Sequence, residues 1–255
     1  MERYRVGSVP YVNAAPLTRW LETESGARYA QVVYAPPSQL ARMLEAGALD
    51  VALVSSVEHF RRPDTQFVPG LAIASHREVL SVRLLSRVPI AQARRVALDT
   101  SSLTSAALTR LVLEQVYRLR PEYVDMAPDV EAMLQVADAA LLIGDLGMTA
   151  GHAMVREVLD LGEAWRAWTG LPFVWALWLM NADAPINALS ELLHTAYQWG
   201  KAHLDAIIEA EAQRTGIPLA LCQRYLREVM VYEIDVPFLQ GLERFRSELV
   251  ELGLV

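Results

Sequence analysis

Hydroxyl side chains are concentrated in one short loop of this 255-residue chain. Five of the six residues from Thr100 to Ser105 carry a hydroxyl group, and an apolar stretch follows them. One hydroxyl is enough to cap the first turn of a helix. The surplus is typical of an anion site, where hydroxyls and backbone amides at a helix N-terminus bind a carboxylate or phosphate. Capping and anion binding both stay open, and the candidate binding residues are Ser101, Ser102, Thr104 and Ser105.

Asn13 is the second residue whose type and position could serve chemistry. It lies shortly before Pro16, and proline suits the first turn of a helix. The sequence alone favours an asparagine that caps this helix or closes a turn. The alternative is a side-chain amide that holds a ligand hydroxyl or carboxylate, because an amide offers both a donor and an acceptor.

Small polar residues also follow two buried-looking strands. Ser55 and Ser56 end one of them, and Gly144 and Asp145 end the other. The carboxyl ends of parallel strands are where such folds bind ligands, although ordinary strand-to-helix turns have the same composition. For Asp145 we expect a capping role rather than a role as a base.

A duplicated pattern predicts how these loops are positioned. The segment 5–22, RVGSVPYVNAAPLTRWLE, is echoed at 95–114 by RVALDTSSLTSAALTRLVLE, and each copy predicts a strand, a loop and a helix. Both copies continue into a helix and a further strand, with Ser38 and Asp129 as the expected N-caps. Each half is therefore predicted to be β-α-β-α-β, which builds a parallel sheet through right-handed crossovers.

The remaining segments predict an α/β fold of two lobes, with two mainly parallel sheets and helices on both faces of each. Residues 79–86, which include Ser81, and residues 170–180 are predicted strands that cross between the lobes and form a hinge beside a ligand cleft. A lone serine such as Ser81 is ordinarily a small packing residue on a strand. Helices are expected at 188–212, 219–229 and 236–252. We assign 1–84 plus 181–255 to lobe one and 85–180 to lobe two.

Composition argues against several classes of protein. The formal net charge of −7 disfavours a nucleic-acid or membrane partner. Lys201 is the single lysine and lies in a helical stretch, which disfavours Schiff-base chemistry. Cys222 is the single cysteine, and the five histidines lack the spacing of metal ligands. Because no apolar signal core is visible at the N-terminus, we expect a cytoplasmic protein that acts on a small molecule without a metal.

Several motifs together resemble the menaquinone-pathway chorismate dehydratases of the futalosine route. The motifs span nearly the whole chain. They are VG at 6–7, YVNAAPL at 11–17, VLSV at 79–82, the loop 97–105, ADAA at 137–140, IGD at 143–145, DLG at 160–162 and WTGLPFV at 168–174, of which the last is the most specific. The resemblance implies a type II periplasmic-binding-protein fold, which agrees with the two predicted lobes.

The resemblance also implies an activity. The reaction removes a proton from the ring carbon that bears the enolpyruvyl ether of chorismate and expels the neighbouring hydroxyl, giving 3-[(1-carboxyvinyl)oxy]benzoate and water. Aromatisation drives this step, so no redox or metal cofactor is required. Carried over by motif, Asn13 and Ser81 are the functional pair, and the hydroxyl-rich loop with Ser55 and Ser56 holds carboxylates. The base stays open, with the enolpyruvyl carboxylate of the substrate as one candidate.

The chain departs from the family pattern at Arg77-Glu78, where a Gly-Pro pair is common. This departure puts the local backbone in question and suggests an arginine near the substrate. Three other functions stay open beside the dehydratase. They are the 1,4-dihydroxy-6-naphthoate synthase of the same pathway, a non-catalytic protein that binds small carboxylates, and the effector domain of a transcription factor.

Overall fold

The computed structural model of this chain describes residues 3–255. Its strands are β1 (Tyr4–Ser8), β2 (Ala30–Tyr34), β3 (Val51–Ser55), β4 (Gln66–Ser75), β5 (Arg83–Ser86), β6 (Arg95–Asp99), β7 (Glu122–Met126), β8 (Ala139–Leu142), β9 (Glu157–Asp160), β10 (Phe173–Met180) and β11 (Met230–Glu233). Its α-helices are α1 (Ala15–Thr18), α2 (Pro37–Glu45), α3 (Val57–Arg61), α4 (Leu103–Leu111), α5 (Val130–Val136), α6 (Gly144–Thr149), α7 (Leu161–Thr169), α8 (Ile186–Ala202), α9 (Leu204–Thr215), α10 (Leu219–Arg224) and α11 (Val236–Glu251).

The chain forms two compact units. Unit one comprises Met1–Ile73 and Ala176–Ile234, and unit two comprises Ala74–Trp175 and Asp235–Val255. These bounds differ from the predicted lobes in three segments: 74–84 and 235–255 belong to unit two, and 176–180 belongs to unit one. The chain therefore passes between the units three times, whereas the sequence predicted two crossings.

The C-terminal helix α11 belongs to unit two because its aromatic side chains pack there. The ring of Phe245 lies 4.8 Å from that of Phe173 and 5.9 Å from that of Trp165. Gly241 of the same helix approaches the backbone of Pro172 so closely that a Cβ atom would collide with it. The apolar spacing of this helix predicts its existence but carries no information on which unit buries it.

The duplicated strand–loop–helix pattern is confirmed by the sheet topology. In unit one, β1 pairs in parallel with β2 and β3, and in unit two β6 pairs in parallel with β7 and β8. The shared threonine of the two echoes also has the same role in both copies. Thr18 donates to the carbonyl of Ala14 and Thr109 to that of Ser105, each four residues back along the chain.

Both sheets also have antiparallel strands, which corrects the expectation of mainly parallel sheets. The strand order is β11-β4-β10-β3-β1-β2 in the first sheet and β7-β6-β8-β5-β9 in the second. β10 runs antiparallel to β3, and β5 runs antiparallel to β8 and β9. β10 joins the first sheet beside β3, and β5 joins the second sheet beside β8. Neither strand belongs to the duplicated unit, and each runs opposite to its neighbour.

Some predicted elements have different bounds. The predicted helix 188–212 is two helices, α8 and α9, separated at His203. The predicted strand 79–86 is shorter, because β5 begins at Arg83 and leaves Ser81 in a turn. Asp129 caps α5 by accepting from the Ala132 amide, as predicted. Ser38 lies inside α2, whose N-cap is Pro36, so its predicted capping role is wrong.

Candidate functional site

Asn13 in unit one is held by two tyrosines from the far end of the chain. Its side-chain Nδ2 donates to the hydroxyl of Tyr225 over 3.0 Å. Its backbone carbonyl accepts from the hydroxyl of Tyr232 over 2.8 Å. Both tyrosines are buried. Side chain and backbone of Asn13 are therefore fixed at the same time.

Local backbone geometry places Tyr225 at this position. It begins a π-helical turn, Tyr225–Val229, that continues α10. A π-turn is wider than an α-turn and rotates the following side chains relative to a regular helix, and such turns are frequent at functional sites. Tyr232 lies on the short strand β11 that follows directly.

The capping role that the sequence favoured for Asn13 is wrong. The residue lies in a 3₁₀ turn, Val12–Ala14, and α1 begins at Ala15 without a side-chain hydrogen bond at its N-cap. With Nδ2 bound to Tyr225, the side-chain Oδ1 of Asn13 is buried and has no hydrogen-bond partner among residues 3–255. A buried acceptor without a partner costs free energy, so this atom is suited to accept from a ligand.

Ser55 and Ser56 lie in unit one at the same sheet edge as the Asn13 segment. Ser55 is the last residue of β3 and Ser56 immediately precedes α3; both are buried. β1 and β3 are parallel neighbours, so their carboxyl ends meet at one edge of the sheet. The structure therefore brings the predicted serines and the loop after β1 to the same end of unit one.

Ser81 in unit two follows a strained turn. Leu80 has a φ of 60°, one of only two non-glycine residues in 3–255 with a positive φ. The Ser81 amide donates to the carbonyl of Val79 over 2.7 Å, which closes a three-residue turn around Leu80. A γ-turn of this hand is rare and strained. Ser81 itself is 2% exposed.

The carboxylate of Asp160 binds this turn. Its oxygens accept from the amides of Val79 and Leu80, with the Leu80 bond at 2.8 Å. The same carboxylate caps α7 by accepting from Gly162 and Glu163. Burial raises the pKa of Asp160, and the four amides that donate to it act in the opposite direction. Asp160 belongs to the DLG motif at 160–162, but the sequence alone assigned it no role.

The hydroxyl-rich loop is partly occupied with its own contacts. Ser102 caps α4, accepting from the Ser105 amide, and the two hydroxyls lie 3.1 Å apart. Ser101 hydrogen-bonds Asp99 through its amide, over 2.8 Å, and through its side chain. Thr104 and Ser105 are buried. The capping interpretation is confirmed for Ser102, and carboxylate binding by the loop stays a prediction.

Asp99 is a residue that the sequence analysis missed. It ends β6 directly before the hydroxyl-rich loop and is 1% exposed. Its Oδ2 atom is buried and has no hydrogen-bond partner in the described part of the chain. Burial raises its pKa, which favours the neutral acid, although Ser101 and the Ile143 amide oppose this. An aspartate between a buried strand and a helix N-terminus was the available signal.

Gly144 and Asp145 open α6 at the same end of unit two. Gly144 is the first residue of this helix and has a φ of 62°, which glycine adopts without strain. Asp145 lies in the first turn rather than at the N-cap, which is Ile143, so the predicted capping role is wrong. Gly147 of this helix lies against the carbonyl of Ser81. The α6 N-terminus, Asp99 and the Ser81 turn are thus one cluster within unit two.

Arg77 forms an ion pair that the sequence did not predict. Its guanidinium lies 3.5 Å from the carboxylate of Glu163, and both side chains are exposed.

In residues 3–255 there is no group of histidine, cysteine, aspartate and glutamate side chains that could hold a metal ion. Over the same residues, no helix is long and apolar enough to cross a membrane.

Comparison with known proteins shows the family. The family model described as menaquinone biosynthesis matches residues 4–251. The chain belongs to this family. The chorismate dehydratase of Thermus thermophilus is 33% identical to the chain over 267 residues, which cover 98% of this chain and 96% of that protein. The predicted resemblance is confirmed.

Solved structures show the fold that this family adopts here. A crystal structure of a protein from Archaeoglobus fulgidus superposes with a TM-score of 0.81 at 19% identity, covering 99% of this chain and 98% of that one. A Candida albicans protein with the generic periplasmic-binding-protein fold superposes with a TM-score of 0.69 at 10% identity, covering 100% and 91%. The predicted periplasmic-binding-protein-like α/β fold is confirmed.

Proposed function

We propose that this protein is a chorismate dehydratase, a carbon–oxygen lyase of menaquinone biosynthesis. The observation that carries the proposal is the 33% identity to the chorismate dehydratase of Thermus thermophilus across almost the full length of both chains. The reaction takes a proton from the ring carbon that bears the enolpyruvyl ether and expels the neighbouring hydroxyl as water. The product is 3-[(1-carboxyvinyl)oxy]benzoate, and formation of the aromatic ring supplies the driving force.

In this proposal, Asn13 and Ser81 are the catalytic residues. Asn13 offers Oδ1 as the acceptor for a substrate hydroxyl, because Tyr225 already takes its Nδ2. An acceptor held from two sides loses little rotational freedom on binding, which favours a reactive orientation of the ring. Ser81 supplies a hydroxyl from a turn that is fixed at both ends, and such fixed groups stabilise developing charge without reorganisation.

We further propose that the substrate carboxylates bind to hydroxyls and helix N-termini. The candidates in unit two are Ser101, Ser102, Thr104 and Ser105 before α4, with Gly144 and Asp145 at α6. The candidates in unit one are Ser55 and Ser56 before α3. Support comes from the burial of Asp99, which raises its pKa, because a shift toward the neutral form weakens the repulsion of a carboxylate beside the loop. A cytoplasmic location stays a prediction for cell fractionation to test.

The test is incubation of the purified protein with chorismate and no additive. We expect mass spectrometry to show loss of one water and a chelator to leave the rate unchanged. Release of unchanged chorismate from a tight complex would instead indicate a binding protein. Turnover of a cyclised futalosine derivative, with chorismate left intact, would indicate the naphthoate synthase.

Two substitutions test the assigned residues. Asn13→Ala and Ser81→Ala should each lower kcat by about 100-fold, the usual scale for losing one group that stabilises developing charge. Asn181→Ala and Ser86→Ala are matched controls, because both residues make hydrogen bonds within the fold and have no proposed contact with substrate. A kcat loss in the controls equal to that of Asn13→Ala or Ser81→Ala would mean that these variants only perturb folding.

A further inference from the structure

We propose that Asp160 is a positioning residue for the reaction: by binding the Val79–Leu80 backbone it holds the strained turn that orients the Ser81 hydroxyl. The inference rests on the proposed function, and it assigns a role to a residue that does not itself contact substrate. Four observations within unit two carry it: the strain, the carboxylate contacts, two close glycine contacts and a comparison with an ordinary cap.

The strain at Leu80 requires something to hold it. A positive φ brings the Cβ atom of an ordinary residue too close to its own carbonyl, so leucine rarely adopts it. Such conformations persist where the surroundings over-determine them, and they cluster at functional sites. A relaxed turn at Leu80 would change the direction of the next residue, Ser81.

The two oxygens of Asp160 share the Val79 amide, which lies 3.1 Å from each, and differ in their other partners. Oδ1 accepts from Gly162 and Glu163, at 2.9 and 3.1 Å, which is the helix cap. Oδ2 accepts from Leu80 over 2.8 Å and from Val79 over 3.1 Å, which is the turn. The cap needs a single oxygen, so the second oxygen serves the turn.

Two glycines close the space around this segment. A Cβ atom on Gly162 would collide with the carbonyl of Arg77, just before the turn. A Cβ atom on Gly147 would collide with the carbonyl of Ser81, just after it. Backbone therefore packs on backbone at both ends, and the turn cannot shift as a unit. Asp160 and Gly162 belong to the DLG motif, for which this arrangement supplies a physical reason.

An ordinary cap looks different. Asp129 caps α5 by accepting from Ala132 over 3.0 Å with Oδ1. Asp160 has the same helix contact and adds the two amides of a separate segment, about 80 residues earlier in the chain. A cap alone accounts for the helix bonds but not for the bonds to Val79 and Leu80.

Asp160→Asn separates the two contacts. Asparagine is as good an N-cap as aspartate, so the side-chain oxygen can keep the helix contact. The NH₂ group then replaces Oδ2 and sets a donor against the donors of Val79 and Leu80. We expect kcat for chorismate to fall about tenfold or more with little change in KM, because one misplaced hydrogen bond corresponds to about that factor.

The matched control is Asp129→Asn, which changes an aspartate to asparagine at a cap without a turn contact. Its kcat should equal that of the wild type. If Asp160→Asn is poorly folded, Asp160→Ser repeats the experiment, since the serine oxygen caps the helix and cannot also reach the turn. Hydrogen exchange should show faster exchange of the Val79 and Leu80 amides in either Asp160 variant.

A double-mutant cycle distinguishes positioning from a general structural role. If Asp160 acts through Ser81, Asp160→Asn should change kcat by less than about twofold in a Ser81→Ala background, because the group it orients is gone. Losses that multiply independently would overturn the inference, and so would an unchanged kcat in Asp160→Asn. In both cases the proposed function stands. A wild-type protein that leaves chorismate unchanged would remove the proposed function, and the inference with it.

Discussion

Removing one oxygen atom from Tyr225 tests whether the orientation of Asn13 matters. Tyr225→Phe keeps the ring in its buried position and deletes the acceptor of the Asn13 Nδ2 hydrogen bond. The Asn13 Nδ2 then loses this acceptor, and its Oδ1 has no hydrogen-bond partner within residues 3–255 even in the wild type. Rotation of the amide about its last bond loses its main restraint.

The size of the effect follows from this geometry. A buried donor left without a partner costs about 1–3 kcal/mol of folding free energy. In a chain of this length, 1 kcal/mol lowers Tm by about 2–4 °C. If the amide must be held for the reaction, the same loss appears in the transition state, and about 1.4 kcal/mol is a tenfold reduction in kcat. We expect Tm to fall by about 2–12 °C, together with about a tenfold fall in kcat.

Chorismate turnover and thermal unfolding should be measured on the same preparations. Tyr197→Phe is the control, since Tyr197 is also buried and its ring lies 5.6 Å from that of Tyr232, but it has no hydrogen bond to Asn13. The kcat of Tyr232→Phe should lie between those of Tyr225→Phe and Tyr197→Phe, because this variant loses only the bond to the Asn13 carbonyl. A normal kcat in Tyr225→Phe, with Tm lowered, would refute the idea that Tyr225 orients Asn13 for catalysis.

Three further substitutions have distinct outcomes. Gly147→Ala should lower the unfolding free energy by about 1–3 kcal/mol or more and reduce kcat, because the new Cβ would meet the carbonyl of Ser81; a normal denaturant midpoint would contradict the packing. Burial raises the folded pKa of Asp99 above its unfolded value, so its contribution to stability is present at low pH and lost as pH rises through the folded pKa. Asp99→Asn should remove the fall in Tm that this predicts as pH rises above about 4, the ordinary pKa of aspartate; a variant whose Tm depends on pH as strongly as that of the wild type would contradict this role. Glu211→Gln should cost about 1–3 kcal/mol in urea unfolding, because buried Glu211 accepts hydrogen bonds from the partly exposed guanidinium groups of Arg19 and Arg214; an unchanged midpoint would show that the charge is dispensable.

The sequence predicted the repeated unit well because local signals determine it. Apolar strands, helix spacing and turn residues recur in both copies, and the parallel order of three strands follows from right-handed crossovers. The strands that return to each sheet carry no such signal. β4 and β11 were not predicted, since a strand of ordinary composition does not reveal which neighbour it pairs with.

The same distinction holds for the site: the loops have local signals in the sequence, whereas the contacts that orient their side chains do not. Loops after β1, β3, β6 and β8 were predicted as candidates from their composition and from the strand ends, and the structure places them at the carboxyl ends of paired parallel strands. The partners of Asn13 were not predictable. Tyr225 and Tyr232 lie more than 200 positions away in the sequence, and a buried tyrosine is ordinarily core. The strained φ of Leu80 is likewise invisible in a leucine.

Asn13 and Ser81 are held in similar ways, which their positions in the sequence do not reveal. Asn13 is fixed by hydroxyls from the C-terminal part of unit one, and Ser81 is fixed by a carboxylate from β9, the fifth strand after it. In each case the group assigned to the reaction lies in a short irregular segment, and the restraint comes from a side chain that is distant in the sequence. Substitution of the restraint should therefore lower kcat while leaving the chemical group intact. Both oxygens of Asp160 are occupied by backbone amides, and on this reasoning the place of Asp160 in the DLG motif is geometric.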